Sequence, residues 1–318
     1  MLAPFLLPKL FNTHFLMEKA YIILAHKLPE QLYRLVERLN DGYSTFFIHI
    51  DKKADIARFD NLSDFGDAIQ LIEREDIKWA GISIVDAEIN ALRAIKAFDK
   101  KFDRIILLSG QDYPIKSNEH INKFFRTSPY SVFIEYWSMP NFKIWGEQGG
   151  MFRFDKYFFG TKKYEKLRAK CLNFLSILLP FLQRKIPNKL VPYGGWMWWT
   201  LDMYALDYIL RYIDNNPKYL RYHKYTFAPD ETFLQTILLN AKDERLLKSI
   251  SNNHLRYIFW PDTTKGHPTL LRKQHLKEIK ASDALFARKF DSTKDEEILD
   301  LIDKNCLLPV NTTSRIEA

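Results

Sequence analysis

Cysteine is scarce in this 318-residue chain, which has only Cys171 and Cys306, far apart and without a CxxC pair. We expect neither a disulfide framework nor a cysteine-based zinc site from them, and a reducing compartment suits the chain. A long apolar run is also missing, because Pro4, Pro8 and Lys9 interrupt the apolar start. What remains is too short to span a bilayer, so we expect neither a membrane anchor nor a signal peptide.

The usual signatures of nucleotide and nucleic-acid binding are absent as well. Neither GxGxxG nor GxxxxGK(S/T) occurs in the sequence. These are the glycine-rich phosphate-binding loops of Rossmann dehydrogenases and P-loop NTPases, so both classes are disfavoured. The net charge of +8 favours an anionic partner: nucleic acid, an acidic membrane surface or a phosphorylated small molecule. Because the basic residues are scattered and no zinc-finger or RNA-binding motif is present, nucleic acid is disfavoured.

The chain does have the pattern of a large α/β protein. Hydrophobic residues make up 47% of it, which is enough for a sizeable core. Short, nearly continuous apolar runs of the kind found in buried parallel strands lie at 20–26, 44–51, 68–73 and 104–112. Helical patterns at 29–40 and 85–98 lie between them, and this alternation predicts βαβ units.

Polar residues end the apolar runs of the first half. His26, Asp51, Ser109, Gln111 and Asp112 all stand where a strand is predicted to end. Ligands of open parallel sheets bind beyond the carboxyl ends of the strands. We therefore expect these residues to line a nucleotide crevice.

The second half begins less regularly. It has a strand-like run at 194–201, a helical pattern at 203–213 and a second strand-like run at 255–260. Before these, residues 162–190 join basic flanks to an apolar middle. We interpret this segment as a core or covering helix that breaks at Pro180; the alternative is an element that lies on a membrane surface.

Seven short motifs occur in a fixed order. They are HID at 49–51, WAGIS at 79–83, DYPIKSN at 112–118, GGWMWW at 194–199, PDETF at 229–233, LRYIFW at 255–260 and ALFARKFD at 284–291. Each alone is weak, whereas seven in one order are a strong signal. With them the chain, from residue 20 to about 302, resembles glycosyltransferase family 14, the core-2/I-branching β-1,6-N-acetylglucosaminyltransferases and peptide O-xylosyltransferases.

The resemblance implies an α/β fold of the GT-A type, with a central, mostly parallel twisted sheet flanked by helices. It also implies inverting transfer from a UDP-sugar, UDP-GlcNAc first and UDP-xylose second, without a cofactor or metal. The expected acceptor is a glycan or lipid-linked glycan of a surface polysaccharide. Many animal members have a membrane anchor and paired cysteines, which we do not expect here. We therefore expect a bacterial, cytoplasmic relative, with peripheral contact to an acidic membrane face left open.

One GT-A-like domain is expected over residues 17–305. Its nucleotide-binding half is predicted at 17–130, and its acceptor and catalytic half at 131–305. Residues 1–16 are predicted to be an extension and residues 306–318 a tail.

Inverting transfer needs a base for the acceptor hydroxyl and a group that neutralises the departing diphosphate. The strand-end segment SGQDYP has no DxD, so we expect side-chain cations to replace a metal. The resemblance assigns this role to Lys289 and, less directly, to Arg288, Lys265 and His267. Without the resemblance, a surface helix would be the simpler interpretation of the Arg-Lys pair.

Two more residues are predicted to contact the nucleotide. Asp51 matches the family's ribose or uracil contact, and a strand-end acid can accept a hydrogen bond from a ribose hydroxyl. A turn acid is the alternative for Asp51. Trp79 matches a position near the nucleotide, with a core role as its alternative. Ser83 is predicted to cap the helix that follows it.

Acceptor contacts are predicted at Glu135, Arg153 and Trp198. The family has an acid and a basic residue in the region of Glu135 and Arg153 that hold sugar hydroxyls. Trp196, Trp198 and Trp199 would alternate between the faces of the predicted strand, and the family motif selects Trp198.

Asp230 and Glu231 follow Pro229, which is favourable at the first position of a helix. Local chemistry alone explains both acids as complements of the positive helix end. The same dipole would keep a carboxylate ionised, as a general base requires. In the family the glutamate of this motif is the base. We therefore predict Glu231 as the catalytic base, with Asp230 as its support in binding substrate.

Two alternatives stay open. One is a metal-dependent GT-A transferase with another donor and Asp112 as metal ligand. The other is a non-catalytic module that binds nucleotide-sugars and docks on an acidic membrane through residues 162–190.

Overall fold

The computed structural model describes residues 17–261 and 268–307. The strands are β1 (Lys19–Ala25), β2 (Ser44–Ile50), β3 (Ile69–Leu71), β4 (Arg104–Ser109), β5 (Asp112–Pro114), β6 (Val132–Ile134), β7 (Trp137–Ser138), β8 (Tyr193–Gly194), β9 (Trp199–Leu201), β10 (Ile250–Ser251), β11 (Arg256–Ile258) and β12 (Phe286–Arg288). The α-helices are α1 (Pro29–Leu39), α2 (Ser83–Ala97), α3 (Asn118–Thr127), α4 (Phe142–Trp145), α5 (Phe152–Asp155), α6 (Lys163–Leu178), α7 (Met203–Asn215), α8 (Pro217–His223), α9 (Phe233–Leu239), α10 (Glu244–Lys248), α11 (Leu276–Ala281) and α12 (Glu297–Ile302). Short 3₁₀ segments include Ile56–Ala68, Pro180–Leu182 and Pro229–Glu231.

The main sheet has the strand order β10-β6-β9-β4-β1-β2-β3. β1 pairs in parallel with β2 and β4, and β2 with β3, whereas β9 runs antiparallel between β4 and β6. Every residue of β2 is buried, as expected of an apolar strand that is covered on both faces. The predicted GT-A-like α/β fold with a mostly parallel central sheet is confirmed.

Alternate residues of β1 face two separate cores. Tyr21 and Ile23 pack in a core with α1, α3 and α12, whereas Ala20 and Ile22 pack in a core with α2, α7 and α9. Side chains alternate between the two faces of a strand, and each helix turns one apolar stripe towards the face that it covers. The sheet therefore lies between two helical layers.

The carboxyl ends of the central strands meet at one edge of the sheet, as predicted. Asp51 donates its backbone N–H to the carbonyl oxygen of Ala25 at 2.9 Å, and Gly110 donates to that of Leu24 at 3.0 Å. A second sheet, β11-β12-β5, adjoins this edge, because β5 follows β4 directly. Its register places Arg288 opposite Asp112, so the basic motif reaches the strand-end segment.

Two predicted elements of the second half are wrong in detail. The strand predicted at 194–201 is broken into β8 and β9 by the loop 195–198, because Gly195 donates its N–H to the carbonyl oxygen of Glu231 rather than to a neighbouring strand. The helix predicted to begin at Pro229 is also broken. Pro229–Glu231 is a separate 3₁₀ turn, and α9 begins at Phe233. The dipole of α9 therefore does not explain Glu231.

The predicted cap at Ser83 is also wrong. No side chain caps α2, and the Ser83 hydroxyl instead accepts the backbone N–H of Lys78 at 2.8 Å. This bond closes the turn that carries Trp79.

The segment 162–190 forms α6, which ends before Pro180 as predicted. No helix in the described ranges is long and apolar enough to cross a membrane. The division into a nucleotide-binding and an acceptor half stays a prediction, and residues 1–16 lie outside the described part.

Candidate active site

Asp51 lies in the turn after β2, where its carboxylate is largely buried. One oxygen accepts the backbone N–H of Lys53 at 2.9 Å, and the other lies 2.9 Å from the Lys53 ammonium nitrogen. Lys53 in turn donates to Asp76 at 2.8 Å. The contacts are those of a turn acid, and a bond to a ribose stays a prediction.

Three cations stand beside this strand edge. Lys27 pairs with Asp291 at 2.7 Å, and Arg288 faces Asp112. The half-buried ammonium of Lys289 has no hydrogen bond or ion pair within the described residues. Burial, and then the charges of Arg288 and Lys27, lower the pKa of Lys289. An anion placed here would relieve that repulsion.

Arg288 is held from two sides. Its guanidinium carbon lies 3.9 Å from the centroid of the Trp198 ring, and its Nε lies 3.5 Å from Asp112 Oδ1. The other Asp112 oxygen accepts the N–H of Ser109 at 2.7 Å. Trp198, which was predicted to contact sugar, is 4% exposed, and its ring packs against the Arg288 guanidinium. A direct sugar contact by Trp198 stays a prediction.

Glu231 projects from the 3₁₀ turn into a contact with Arg153. Its Oε2 accepts a hydrogen bond from Arg153 Nη2 at 2.6 Å, and its side chain is 21% exposed. The Arg153 guanidinium is enclosed by aromatic rings, with the Trp145 centroid at 3.8 Å and the Phe227 centroid at 5.3 Å. Burial raises the pKa of Glu231 above its ordinary value, and the charge and hydrogen bond of Arg153 oppose this rise. Arg153, predicted to hold acceptor, thus holds the predicted base.

Two further carboxyls, Asp230 with one buried oxygen and the fully buried Glu88, lie near Glu231. Burial, followed by the Glu231 charge, raises the pKa of Asp230 to about 7, and one Asp230 oxygen has no hydrogen-bond partner among the described residues. Burial, followed by Asp230, also raises the pKa of Glu88 on α2. Glu88 accepts the indole N–H of Trp199 at 3.2 Å. Neutral forms of Asp230 and Glu88 would leave Glu231 as the charged acid of the three.

Glu88 was not predicted, although a signal existed. It follows Val85 by three positions and so shares the buried face of α2 with apolar residues. An acid in such a stripe is rare unless it has a partner.

Glu135 follows β6 directly, and its backbone lies next to Gly195 of the loop 195–198. Its Oε2 is 3.0 Å from His254 Nε2. His254 Nδ1 accepts the backbone N–H of Arg256, so the ring hydrogen is on Nε2 and donates to Glu135. Burial, with the nearby charges of Arg256 and Arg288, lowers the pKa of His254 to about 3, which keeps the ring neutral. Nothing in the sequence marked His254.

The loop 195–198 joins the two groups of residues. At one end Gly195 donates its N–H to the Glu231 carbonyl oxygen at 2.9 Å, and a Cβ on Gly195 would lie 2.0 Å from the Glu135 carbonyl oxygen. At the other end Trp198 contacts Arg288. Gly195 and Trp198 are three positions apart, so their Cα atoms are separated by at most about 11 Å. Glu231 and Arg288 therefore flank one short loop.

Trp79 lies at the Glu231 side of the site. Its ring is 63% exposed and meets Phe227 edge-on at 5.7 Å. The next residue, Ala80, accepts the N–H of Ala228, immediately before the 3₁₀ turn. The predicted core alternative for Trp79 is wrong because the ring is open to solvent.

The remaining predicted cations, Lys265 and His267, lie outside the described residues. Within residues 17–261 and 268–307, no group of three or more histidine, cysteine or acidic residues could hold a metal. The structure thus assembles Asp51, Arg288 and Lys289 at the sheet edge, and Glu231 with Arg153 and Asp230 beyond the loop.

Proteins of similar sequence include xylosyltransferases. Human xylosyltransferase 2 is 24% identical over 305 residues, covering 89% of this chain and 33% of the human protein. Human xylosyltransferase 1 is 22% identical over 305 residues, covering 89% of this chain and 30% of that protein. The chain spans about a third of the length of these curated relatives.

Similarity to solved structures is weak. Apo mouse xyloside xylosyltransferase 1 has a TM-score of 0.33 at 10% identity, covering 85% of this chain and 97% of that one. A 4-diphosphocytidyl-2C-methyl-D-erythritol synthase from Anaerococcus prevotii has a TM-score of 0.31 at 14% identity, covering 62% and 76%. The fold assignment rests on the sheet itself.

The family model described as Branch, Core-2/I-Branching enzyme, matches residues 19–283. This range includes the Glu231 side of the site and ends shortly before Arg288. The match covers well over half of the chain. The chain therefore belongs to the Core-2/I-Branching enzyme family.

Proposed function

We propose that the protein is an inverting, metal-independent glycosyltransferase. It moves a sugar from a UDP-sugar to a hydroxyl of a glycan or lipid-linked glycan in surface polysaccharide synthesis. GlcNAc is the first candidate for that sugar, and xylose is the second. One observation carries the proposal: a partly exposed carboxylate held by an arginine lies at one end of a short loop, and Arg288, which precedes Lys289, contacts the other end.

Glu231 is the general base of the proposed reaction. Its carboxylate takes the proton of the acceptor hydroxyl as that oxygen attacks the anomeric carbon. The bond from the anomeric carbon to the phosphate oxygen breaks, and its electron pair leaves with UDP. The Arg153 charge favours the ionised form of Glu231, and the 2.6 Å hydrogen bond fixes its direction.

Lys289 and Arg288 neutralise the departing diphosphate. Charge-assisted bonds from such side chains to phosphate oxygens are short and strong, and they supply the stabilisation that a metal supplies in other transferases. Lys289 is suited to this because its ammonium forms no direct ion pair with an acid among the described residues, and burial, with the charges of Arg288 and Lys27, lowers its pKa. Arg288 is suited because Trp198 and Asp112 fix its position.

The placement of Asp112 disfavours the metal-dependent alternative. Its side chain is fully buried, one oxygen accepts the Ser109 N–H, and the other faces the Arg288 guanidinium. A carboxylate used in this way orients a cationic side chain. Metal independence is therefore the better proposal.

The family and its relatives support the choice of donor. The family name points to branching enzymes, which transfer GlcNAc, and the curated relatives are xylosyltransferases. We keep UDP-GlcNAc as the first candidate and UDP-xylose as the second.

A donor panel tests this proposal. Purified protein is incubated with UDP-GlcNAc, UDP-xylose and other UDP-sugars, with and without EDTA, while UDP release and thermal stabilisation are measured. We expect UDP release and stabilisation with UDP-GlcNAc, unchanged by EDTA. No UDP release with any UDP-sugar would refute the enzyme proposal. Loss of UDP release in EDTA, restored by a divalent metal, would support the metal-dependent alternative instead.

A further inference from the structure

Helix α6 presents its apolar side chains to solvent. Leu167, Phe174, Ile177, Leu178 and the following Phe181 are each between 61% and 80% exposed. Leu175 and Leu179, in the same stretch, are also exposed. Large contiguous apolar patches of this kind on a folded protein mark a place where another surface binds.

The side of α6 that faces the protein includes the polar residues Asn173 and Ser176. Ser176 is the only buried residue of the helix. The Asn173 side chain accepts the N–H of Tyr157 at 2.7 Å and donates to its carbonyl oxygen at 3.1 Å. These contacts fix the rotation of α6. Of the two positions interpreted for 162–190, core or covering, the core position is wrong, because a core helix would be largely buried and α6 is mostly exposed.

Basic residues stand on the same exposed surface. Lys163, Leu167, Lys170, Phe174 and Leu178 follow spacings of three and four, so cationic and apolar side chains share one stripe. Long lysine side chains can extend from an apolar contact plane towards charged groups at its edge. Within the described ranges, neither Lys163 nor Lys170 forms an ion pair.

The charge around this surface is strongly one-sided. Between residues 161 and 201 the chain has eight basic residues and a single acid, Glu165. A surface that is apolar and cationic complements the interface of an anionic bilayer, where acyl chains lie beneath acidic headgroups. A symmetric contact with a second copy would instead bring like charges together.

We propose that the α6 surface, formed by the exposed apolar residues of 167–181 and the basic residues of 162–170, docks on an anionic lipid surface. α6 has 16 residues and many charges, so it lies in the plane of the interface and does not span the bilayer. This inference is independent of the proposed sugar transfer.

The docked surface adjoins the candidate active site. Arg184 follows Phe181 closely, donates to the Thr226 hydroxyl at 2.7 Å and to the Arg153 carbonyl oxygen at 3.2 Å. Arg153 holds Glu231. Docking through α6 would therefore place the Glu231 side of the site next to the lipid surface.

Vesicle sedimentation tests the inference on the full chain. The vesicles are phosphatidylcholine alone, or phosphatidylcholine with about a third phosphatidylglycerol. We expect binding to the anionic vesicles, weakened by high salt, and little binding to the neutral ones. Absence of binding to the anionic vesicles would overturn the proposal.

Paired variants assign the surface. Lys163→Glu with Lys170→Glu should lower binding about 25-fold or more, because each cation near an acidic surface contributes about 1 kcal/mol. Phe174→Asn with Leu178→Asn should lower it about tenfold or more through lost apolar burial. The matched controls are Lys277→Glu with Lys280→Glu on α11, and Leu247→Asn on α10, and they should bind like the unaltered chain.

Two results would contradict the assignment to α6. One is equal vesicle binding by the α6 variants and the unaltered chain. The other is a lipid-free molecular mass of two copies that falls to one in the Phe174→Asn, Leu178→Asn variant, which would identify a second copy as the occupant. All six changed residues of the α6 and α11 variants are exposed, so folding is expected to be retained.

Discussion

Glu231 combines partial exposure with a fixed cationic neighbour, Arg153. A general base needs both access to the acceptor and an ionised carboxylate. We expect Glu231→Gln to lower the transfer rate by roughly 10²- to 10⁴-fold, because an amide cannot take the acceptor proton. UDP affinity, measured by calorimetry, should stay near that of the unaltered protein. Glu244→Gln on the exposed face of α10 is the control, and a normal rate in Glu231→Gln would show that the base is another group.

A substitution of Lys289 tests the proposed diphosphate side of the site. A charge-assisted hydrogen bond contributes about 1.5 to 3 kcal/mol, so Lys289→Ala should weaken UDP binding about 10- to 150-fold. Lys277→Ala, on α11, is the matched control. Unaltered affinity in Lys289→Ala, measured by UDP titration, would remove Lys289 from the diphosphate site.

At the scale of elements, the loop 195–198 positions both ends of the site. An alanine Cβ at Gly195 would lie 2.0 Å from the Glu135 carbonyl oxygen, and backbone must move to relieve this contact. We expect Gly195→Ala to cost about 1 to 3 kcal/mol of unfolding free energy and to lower the transfer rate as well. Thermal and denaturant unfolding with a rate assay measure both. An unchanged midpoint and rate would mean that the loop tolerates the displacement.

The elements that sequence predicted well are those whose pattern is local. β1, β2 and β4 are continuous apolar runs, and α1 and α2 have one apolar stripe, so their positions were predictable. The run at 194–201 has the same local pattern but is not one strand. Gly195 and the Glu231 turn bind each other across 36 positions, and no spacing in the sequence encodes such a contact.

The same limit applies to the candidate site. The position of Asp51 follows from the rule that parallel strands end at one edge, and it was predictable. The pairing of Arg153 with Glu231 and of Glu135 with His254 joins distant segments. Arg153, Glu231 and Glu135 were predicted from the sequence, whereas His254 was not, and each partner was decided by tertiary packing.

At the scale of the whole molecule, a buried histidine links stability to pH. His223 lies among the rings of Tyr219, Tyr222 and Phe233, and neither of its nitrogens has a hydrogen-bond partner among the described residues. Burial, with the Arg184 charge, lowers the pKa of His223 from 6.5 to about 3. Between these values the unfolded chain binds one more proton at this site, so the contribution of His223 to stability falls as pH falls.

We therefore expect His223→Phe to remove part of the pH dependence. For one proton the slope is about 1.4 kcal/mol per pH unit, and the variant should lose that slope between pH 6 and pH 4. Urea unfolding at several pH values measures it, with pH 8 as the reference, where both histidine states are neutral. Parallel stability curves for the variant and the unaltered protein would show that His223 is not neutral in the fold.

The pairing of β12 with β5 also has a consequence for biosynthesis. Glu231 is synthesised before Arg288 and Lys289, which follow some sixty positions later and complete the edge beside Asp112. In the proposed mechanism, a chain that stops before β12 would have the base Glu231 but would lack Arg288 and Lys289, the cations that neutralise the diphosphate. In the proposed mechanism, such a chain would lack the cations that hold UDP, since they lie on and just after the last strand that the structure describes, and premature reaction of a sugar donor would be avoided.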